Sequence, residues 1–371
     1  MSQEQGTSGP GGLAKIEAVA AGPLDPPPAG TPAAPAAAGI ASRSLGSWSR
    51  FRHHMPLAAL IVQRLGLSLV LLWAVSVVVF LGIEALPGDF AETYLGQSAT
   101  PQAVANIRQE LGLDQPALTR YFEWLGGALT GDFGNSWASG ASVTEQIGLR
   151  LGNTLFLAFW AALVSVPLAI GLGMLAVHYR NRLPDRLINV VSLGAISLPE
   201  FFVGYILILF IAVKGGWVSF PSTVYAGMSF GQRLEAIVLP CATLVLVVLA
   251  HMMRMTRAAI LNVMSSPYVE TAELKGLDTL RIIARHAAPN AVAPIINVVA
   301  LNLAYLVVGV VVVEVVFVYP GMGQYMVDAV TVRDLPVVQA CGLIFAGVYI
   351  LLNMTADVLA IVANPRLRHP R

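Results

Sequence analysis

The chain has 371 residues and a net charge of +1 at pH 7, with 56% hydrophobic and only 12% charged residues and a mean hydropathy of +0.71. Soluble domains carry about 25% charged residues, so this composition excludes an ordinary water-facing globule. The near-neutral balance also lacks the basic field that nucleic acid demands, and no nucleic-acid partner is expected.

Residues 1–55 are rich in Pro, Ala and Gly without any period. They cannot bury enough apolar surface to offset their ordering entropy, and they lack the apolar core of a signal peptide, so a disordered cytoplasmic tail is expected. From residue 56 to 371 the character changes. A bilayer core about 30 Å thick is crossed by about 20 apolar residues in helix. Six runs meet that length or approach it, at about 65–83, 151–177, 187–213, 236–253, 291–313 and 335–357. The predicted fold is therefore all-α, a polytopic protein of six transmembrane helices in a lipid bilayer. Cys241 and Cys341 fall inside apolar runs with no metal-type spacing and read as free buried thiols; neither a metal nor a cofactor is expected.

Lys and Arg in the connecting segments set the orientation. With the N-terminus in the cytoplasm, 16 of the 22 basic residues fall inside and 6 outside, so both termini are expected to be cytoplasmic. The outer loop at 87–150 carries helix signals. Thr100 and Pro101 suit a helix start, and Val104, Ile107 and Leu111 recur at helical spacing before Gly112. A second helix there should present Leu118, Tyr121, Phe122 and Leu125 on one face. A small external cap follows, which either packs on the span ends or docks a partner.

Two features inside the spans stand out. Glu200, in Ser-Leu-Pro-Glu-Phe-Phe of the third span, is expensive in lipid and must face a wet cavity, find a partner or be protonated. Pro199 beside it withholds a backbone donor and should kink the helix, helping to line a cavity. Translocation path and structural hydrogen bond are the two readings. Glu314, before Pro320-Gly321 near the outer end of span five, is grouped with Pro199 and Glu200 as a translocation-path candidate and reads as an outer gate or as a tie between spans. Asp357 should pair with Arg366 or Arg368, and Asn302, Gln339 and Asn353 should line a pore or bond between helices. His251 should mark the inner boundary.

The inner loop at 254–290 is the most informative segment. Ser266 and Pro267 suit a helix start, Tyr-Val-Glu-Thr-Ala-Glu-Leu-Lys makes about two turns, and Gly276 should end them in the left-handed region. Asp278 can cap a further helix. Periodicity alone leaves open whether this short helix rests on lipid or seats in a groove of a soluble partner.

This loop resembles the Glu-Ala-Ala motif of ABC importer permeases. Glu270-Thr271-Ala272, Gly276 and Pro289 stand at the matching spacing, with departures at Thr271, His286 and Ala288. Leu-Pro-Gly-Asp-Phe at 86–90, Gly-Asp-Phe-Gly-Asn-Ser at 131–136, the stretch 311–330 ending in Pro-Gly-Met-Gly-Gln-Tyr-Met-Val-Asp-Ala-Val, residues 333–340 and Asn-Pro-Arg-Leu-Arg at 364–368 are similar to the dipeptide/oligopeptide/nickel branch. The resemblance spans roughly 58–371 and implies the first permease of a heterodimer, working with two cytoplasmic ATPase subunits and an extracytoplasmic solute-binding protein. It further implies that Tyr268, Glu270, Thr271, Ala272, Lys275, Gly276 and Pro289 couple to the ATPase, and that peptides or a related small solute are the cargo.

Independently of that likeness, none of the three lysines, Lys15, Lys214 and Lys275, is followed by Ser or Thr, so the chain has no phosphate-binding loop. No catalytic set is visible, and a transporter subunit rather than an enzyme is expected. The alternative transport reading is an ion-coupled secondary transporter with Glu200 carrying the proton. No internal repeat supports it.

Overall fold

A computed structural model describes residues 56–85 and 90–363. The expected tail at 1–55, most of the 86–90 motif, the 364–368 motif and Arg366 and Arg368 lie outside the described residues. The described chain is helical and holds no strand, only an isolated bridge between Asn135 and Ser142. Helix α1 (Pro56–Glu84) is followed by the short cap helices α2 (Phe90–Leu95), α3 (Pro101–Glu110) and α4 (Ala117–Thr130). Next come α5 (Val143–His178), α6 (Leu183–Ser197) and α7 (Glu200–Leu207), the last prolonged by wide π turns to Val213. After α8 (Phe230–Ala236) and α9 (Val238–Met264) lie α10 (Pro267–Leu274) and α11 (Thr279–Ile282). The chain ends in α12 (Val292–Val308), α13 (Val311–Phe317), α14 (Met322–Val332) and α15 (Leu335–Ala363).

Five stretches are long and apolar enough to cross a membrane: Val62–Glu84, Val143–His178, Val238–Met264, Pro289–Val308 and Leu335–Leu359. The sixth is α6 with α7, bent by 101° at its break. Leu198, which precedes a proline, is forced into extended backbone (ψ 131°), and Pro199 caps the new helix instead of continuing the old one. The expected kink is in fact a corner. Two other boundaries also differ from expectation. The helix of the fourth run continues past 253 to Met264, and Arg257 within it finds a partner on α6. The fifth stops at Val308 rather than 313. Val310, Val313 and Phe317 are buried in protein, and hydropathy does not distinguish that surrounding from lipid.

Local chemistry explains most helix ends. Thr100, Ser142 and Ser229 accept from backbone N–H groups of their first turns, the last in a reciprocal capping box with Gln232. Asp278 accepts from Leu280 N–H. Ser266 occupies the expected cap position, but its side chain makes no capping bond; Pro267 alone sets the start of α10.

The core is the α5–α9 pair. Leu157, Ala161 and Ala169 meet Leu244, Val248, Met252 and Met253, with Phe317 and Tyr319 closing one end. Small residues let the backbones approach. A β-carbon on Gly173 would stand 2.9 Å from Thr256 Cγ2, so the approach there requires glycine. Both cysteines are free. Asp357 pairs with Arg64 of α1 at 2.8 Å, tying the first crossing to the last, while the C-terminal arginines expected beside it lie outside the described residues.

The cap packs on α1. Tyr121 Oη and Ser76 Oγ share a hydrogen bond of 2.9 Å, and Phe80 meets Tyr121 edge-on. Of the apolar residues expected on one face of α4, Tyr121 is buried, whereas Leu118 and Phe122 are 72% and 65% exposed.

Candidate functional site

The segment 265–290 lies at the end of α5 remote from Val143, where Val177 packs with Ile260, Ile283 and Ala287. Its two helices form a clip. Val269 and Ala272 of α10 turn inward onto Ile282 of α11, with Met264 and Leu277 beside them. Gly276 makes the corner at φ +76°, in the left-handed region that side chains other than glycine enter at a cost of about 1–2 kcal/mol. Of the coupling residues implied by the motif, Tyr268, Glu270, Thr271, Lys275, Gly276 and Pro289 lie on the exposed surface. Ala272 does not; it is the small residue that lets α10 lie flat on α11. Tyr268 Oη reaches the His286 carbonyl at 3.4 Å, and Thr271 Oγ1 donates back to Pro267 at 3.0 Å, so the clip is braced from within. Leu274, 83% exposed, is an apolar projection that sequence reasoning did not single out. Leu280, also exposed, is on the second arm of the clip.

At the broken crossing, Glu200 occupies the first turn of α7, where the helix dipole favours a carboxylate. Its Oε2 accepts from Tyr305 Oη of α12 at 2.9 Å. Beside the corner opens a cavity of about 330 Å³, lined by Leu198, His251, Asn302 and Tyr305 among others. His251, expected at the boundary, therefore faces a cavity between crossings. Asn302 and Asn353 do not bond between helices. Each donates to a carbonyl four residues back on its own helix, Val298 and Tyr349.

Glu314 is fully buried. Its Oε1 accepts from Thr154 Oγ1 of α5 at 2.6 Å, and its Oε2 accepts from the N–H groups of Gly323 and Gln324 at 2.7 and 3.1 Å. Thr154 in turn accepts from Met322 N–H at 2.8 Å. The first three amides of α14, orphaned at any helix start, thus converge on one carboxylate and one hydroxyl. Glycine is required around them: a β-carbon on Gly321 would stand 1.9 Å from Glu314 Oε1. The Pro-Gly-Met-Gly spacing makes room for this carboxylate, and the geometry is that of a tie.

Two more buried acids escaped sequence reasoning. Asp185 of α6 takes a two-pronged bond from Arg257 of α9, both arms 2.9 Å, and also accepts from Asn181 N–H and Asn189. Asp334, before α15, accepts from Ser136 Oγ and from the amides of Trp137 and Ala138, pinning the cap loop to the last crossing. A carboxylate within two residues of Pro184 or Pro336, at a helix start, was the available signal.

Five apolar helices long enough to cross a membrane, one broken pair and a short exposed helical clip define a polytopic helical membrane protein. Residues 57–158 match the family described as binding-protein-dependent transport system membrane component, N-terminal, and residues 165–369 match the corresponding inner membrane component. The glutathione transport system permease protein GsiC of Escherichia coli K12 is 37% identical over 309 residues, covering 83% of this chain and 98% of its own. GsiC of Shigella dysenteriae serotype 1 matches equally. An inward-facing MetNI methionine ABC transporter structure aligns at a TM-score of 0.45 with 16% identity, over 59% of this chain and 96% of that one. The chain belongs to the binding-protein-dependent transport system inner membrane component family, in the peptide/nickel group of ABC importer permeases. It is accordingly a multi-pass inner-membrane permease subunit of an ATP-driven importer and not an enzyme, and membership sets the ion-coupled alternative aside. The family works with a second permease, an ATPase and a binding protein.

Proposed function

We propose that this chain is the first permease of a heterodimer that moves peptides or a related small solute from an extracytoplasmic binding protein into the cytoplasm, driven by two cytoplasmic ATPase subunits. Both termini then lie in the cytoplasm, the 87–150 segment forms the external cap, and 254–290 is the coupling loop. The glutathione permeases at 37% identity support a small peptide as cargo. The observation that carries the reading is the clip at Gly276. A two-turn helix, braced by Val269 and Ala272 on Ile282, presents Tyr268, Glu270, Thr271, Lys275 and Leu274 on one exposed edge. Pro289 follows at the entry to the fifth crossing, so displacement of the clip is transmitted to α12.

Gly276→Val tests this. Its β-carbon would meet open space, so the substitution acts through the backbone corner rather than a clash. A cost of about 1–2 kcal/mol there is enough to reset an equilibrium about tenfold. In proteoliposomes holding the assembled importer, uptake per ATP hydrolysed is expected to fall about that much while membrane insertion is unchanged. Fully coupled uptake in this variant would remove the clip from the mechanism.

Pro199 and Glu200 are assigned to the translocation path; Tyr305, which lines the 330 Å³ cavity, is the group that holds the Glu200 carboxylate. Glu200→Gln should lower uptake several-fold and leave the melting temperature within a degree or so, since the amide oxygen still accepts from Tyr305. Loss of thermal stability with normal uptake would make Glu200 a structural bond only. Glu314 we assign to the tie rather than to an outer gate.

A further inference from the structure

Beside the start of α5, the end that carries the cap, opens a cavity of about 820 Å³, within the range that holds small organic ligands. Arg150 of α5 and Arg233 of α8 both line it, and among the described residues no Asp or Glu does. The two guanidinium groups are positioned, not trailing. Arg233 lies over the Phe156 ring at 4.5 Å and donates to Asn153 Oδ1 at 3.3 Å, while Arg150 lies over Tyr325 at 5.3 Å. Asn153 is itself fixed, donating to the Pro320 carbonyl at 2.9 Å. Arg233 Nε is buried with no hydrogen-bond partner, a donor whose burial goes uncompensated. The nearby Glu314 is spent on Thr154 and the α14 amides and does not face the cavity.

We propose that this cavity is an oxyanion site at the solute entrance, where Arg150 and Arg233 take a carboxylate of the incoming solute. The proposal rests on the orientation given above, with the cap end external, and narrows the cargo to carboxylate-bearing solutes. Arginine suits the task because its planar fork matches a carboxylate and, held on an aromatic face, loses little freedom on binding. Two like charges in a walled cavity also raise the local anion concentration by about tenfold or more.

The test needs no transport. A cysteine replaces Gln146, which lines the cavity, in the assembled importer with Cys241 replaced by alanine, in phosphatidylcholine nanodiscs. Rates of modification by anionic and cationic methanethiosulfonates are compared. The anionic reagent should be favoured by about tenfold, and the preference should vanish in Arg150→Gln/Arg233→Gln, persist in Arg150→Lys/Arg233→Lys and collapse at high salt in the unaltered protein. The dipeptide Ala-Glu should protect the cysteine, and its dimethyl ester should not. Equal protection by acid and ester, or a charge preference indifferent to both variants and salt, overturns the site. Protection by phosphatidylglycerol in the nanodisc but not by Ala-Glu also overturns it, since a lipid headgroup would then be the anion. None of these readings involves ATP, so failure here is distinct from failure of the coupling clip.

Discussion

Gly321→Ala is expected to cost about 3 kcal/mol or more, read as a fall of several degrees in the melting temperature of the purified protein, with faster proteolysis of the 319–334 region. The reason is space, not backbone freedom. Gly321 is extended, at φ −93° and ψ −176°, which any residue adopts. Its β-carbon, however, would overlap Glu314 Oε1 at 1.9 Å, and the carboxylate cannot retreat without abandoning Thr154 and two amides of α14. Leaving buried donors unsatisfied costs about 1–3 kcal/mol each. The claim is best tested by a cycle. With Glu314→Ala already present, Gly321→Ala should cost much less than it does alone, a coupling of about 1–3 kcal/mol. Strict additivity would mean that the glycine is needed for some other reason and that the tie is misread.

Asp185→Ala should produce the other large loss, about 3–5 kcal/mol for breaking a buried pair, toward the lower end because the Arg257 side chain keeps 23% of its surface exposed. Removing the acid leaves a guanidinium between α6 and α9 with nothing to neutralise it and leaves Asn181 N–H without its acceptor, while Asn189 keeps only its bond to the residue 185 carbonyl. Asp185→Ala combined with Arg257→Leu should recover part of the loss, since two apolar side chains no longer strand a charge. A single variant that melts like the parent, or a double variant no better than the single, would show that the pair contributes nothing. The effect bears on function as well. Asp185 fixes the near arm of the broken crossing, so the cavity beside Glu200 should be less well ordered when it is lost.

Much of this was legible in the chain. Runs of about 20 apolar residues announced the crossings, and the helix ends at Thr100, Gly112, Gly276 and Asp278 followed from caps and turns, because both signals are local. The Glu-Thr-Ala to Gly276 spacing pointed to the clip by likeness alone. Periodicity left its role open, since a short amphipathic helix looks the same on lipid and on protein. What could not be read was which way each buried carboxylate would turn. Glu314 finds Thr154 160 residues away in sequence, and Asp334 finds Ser136 at a separation of 198. Asp357 finds Arg64, near the other end of the described chain.

The sequence by itself determined the class of molecule, the number and rough limits of its crossings, and the points at which helices start and stop. Those depend on hydrophobic run length and on the backbone preferences of single residues. Only the tertiary structure decided that the third crossing turns a 101° corner, that Ala272 faces inward, and that Arg150 and Arg233 line one cavity. Each of these is set by what packs against the residue, and the packing partner lies on another helix.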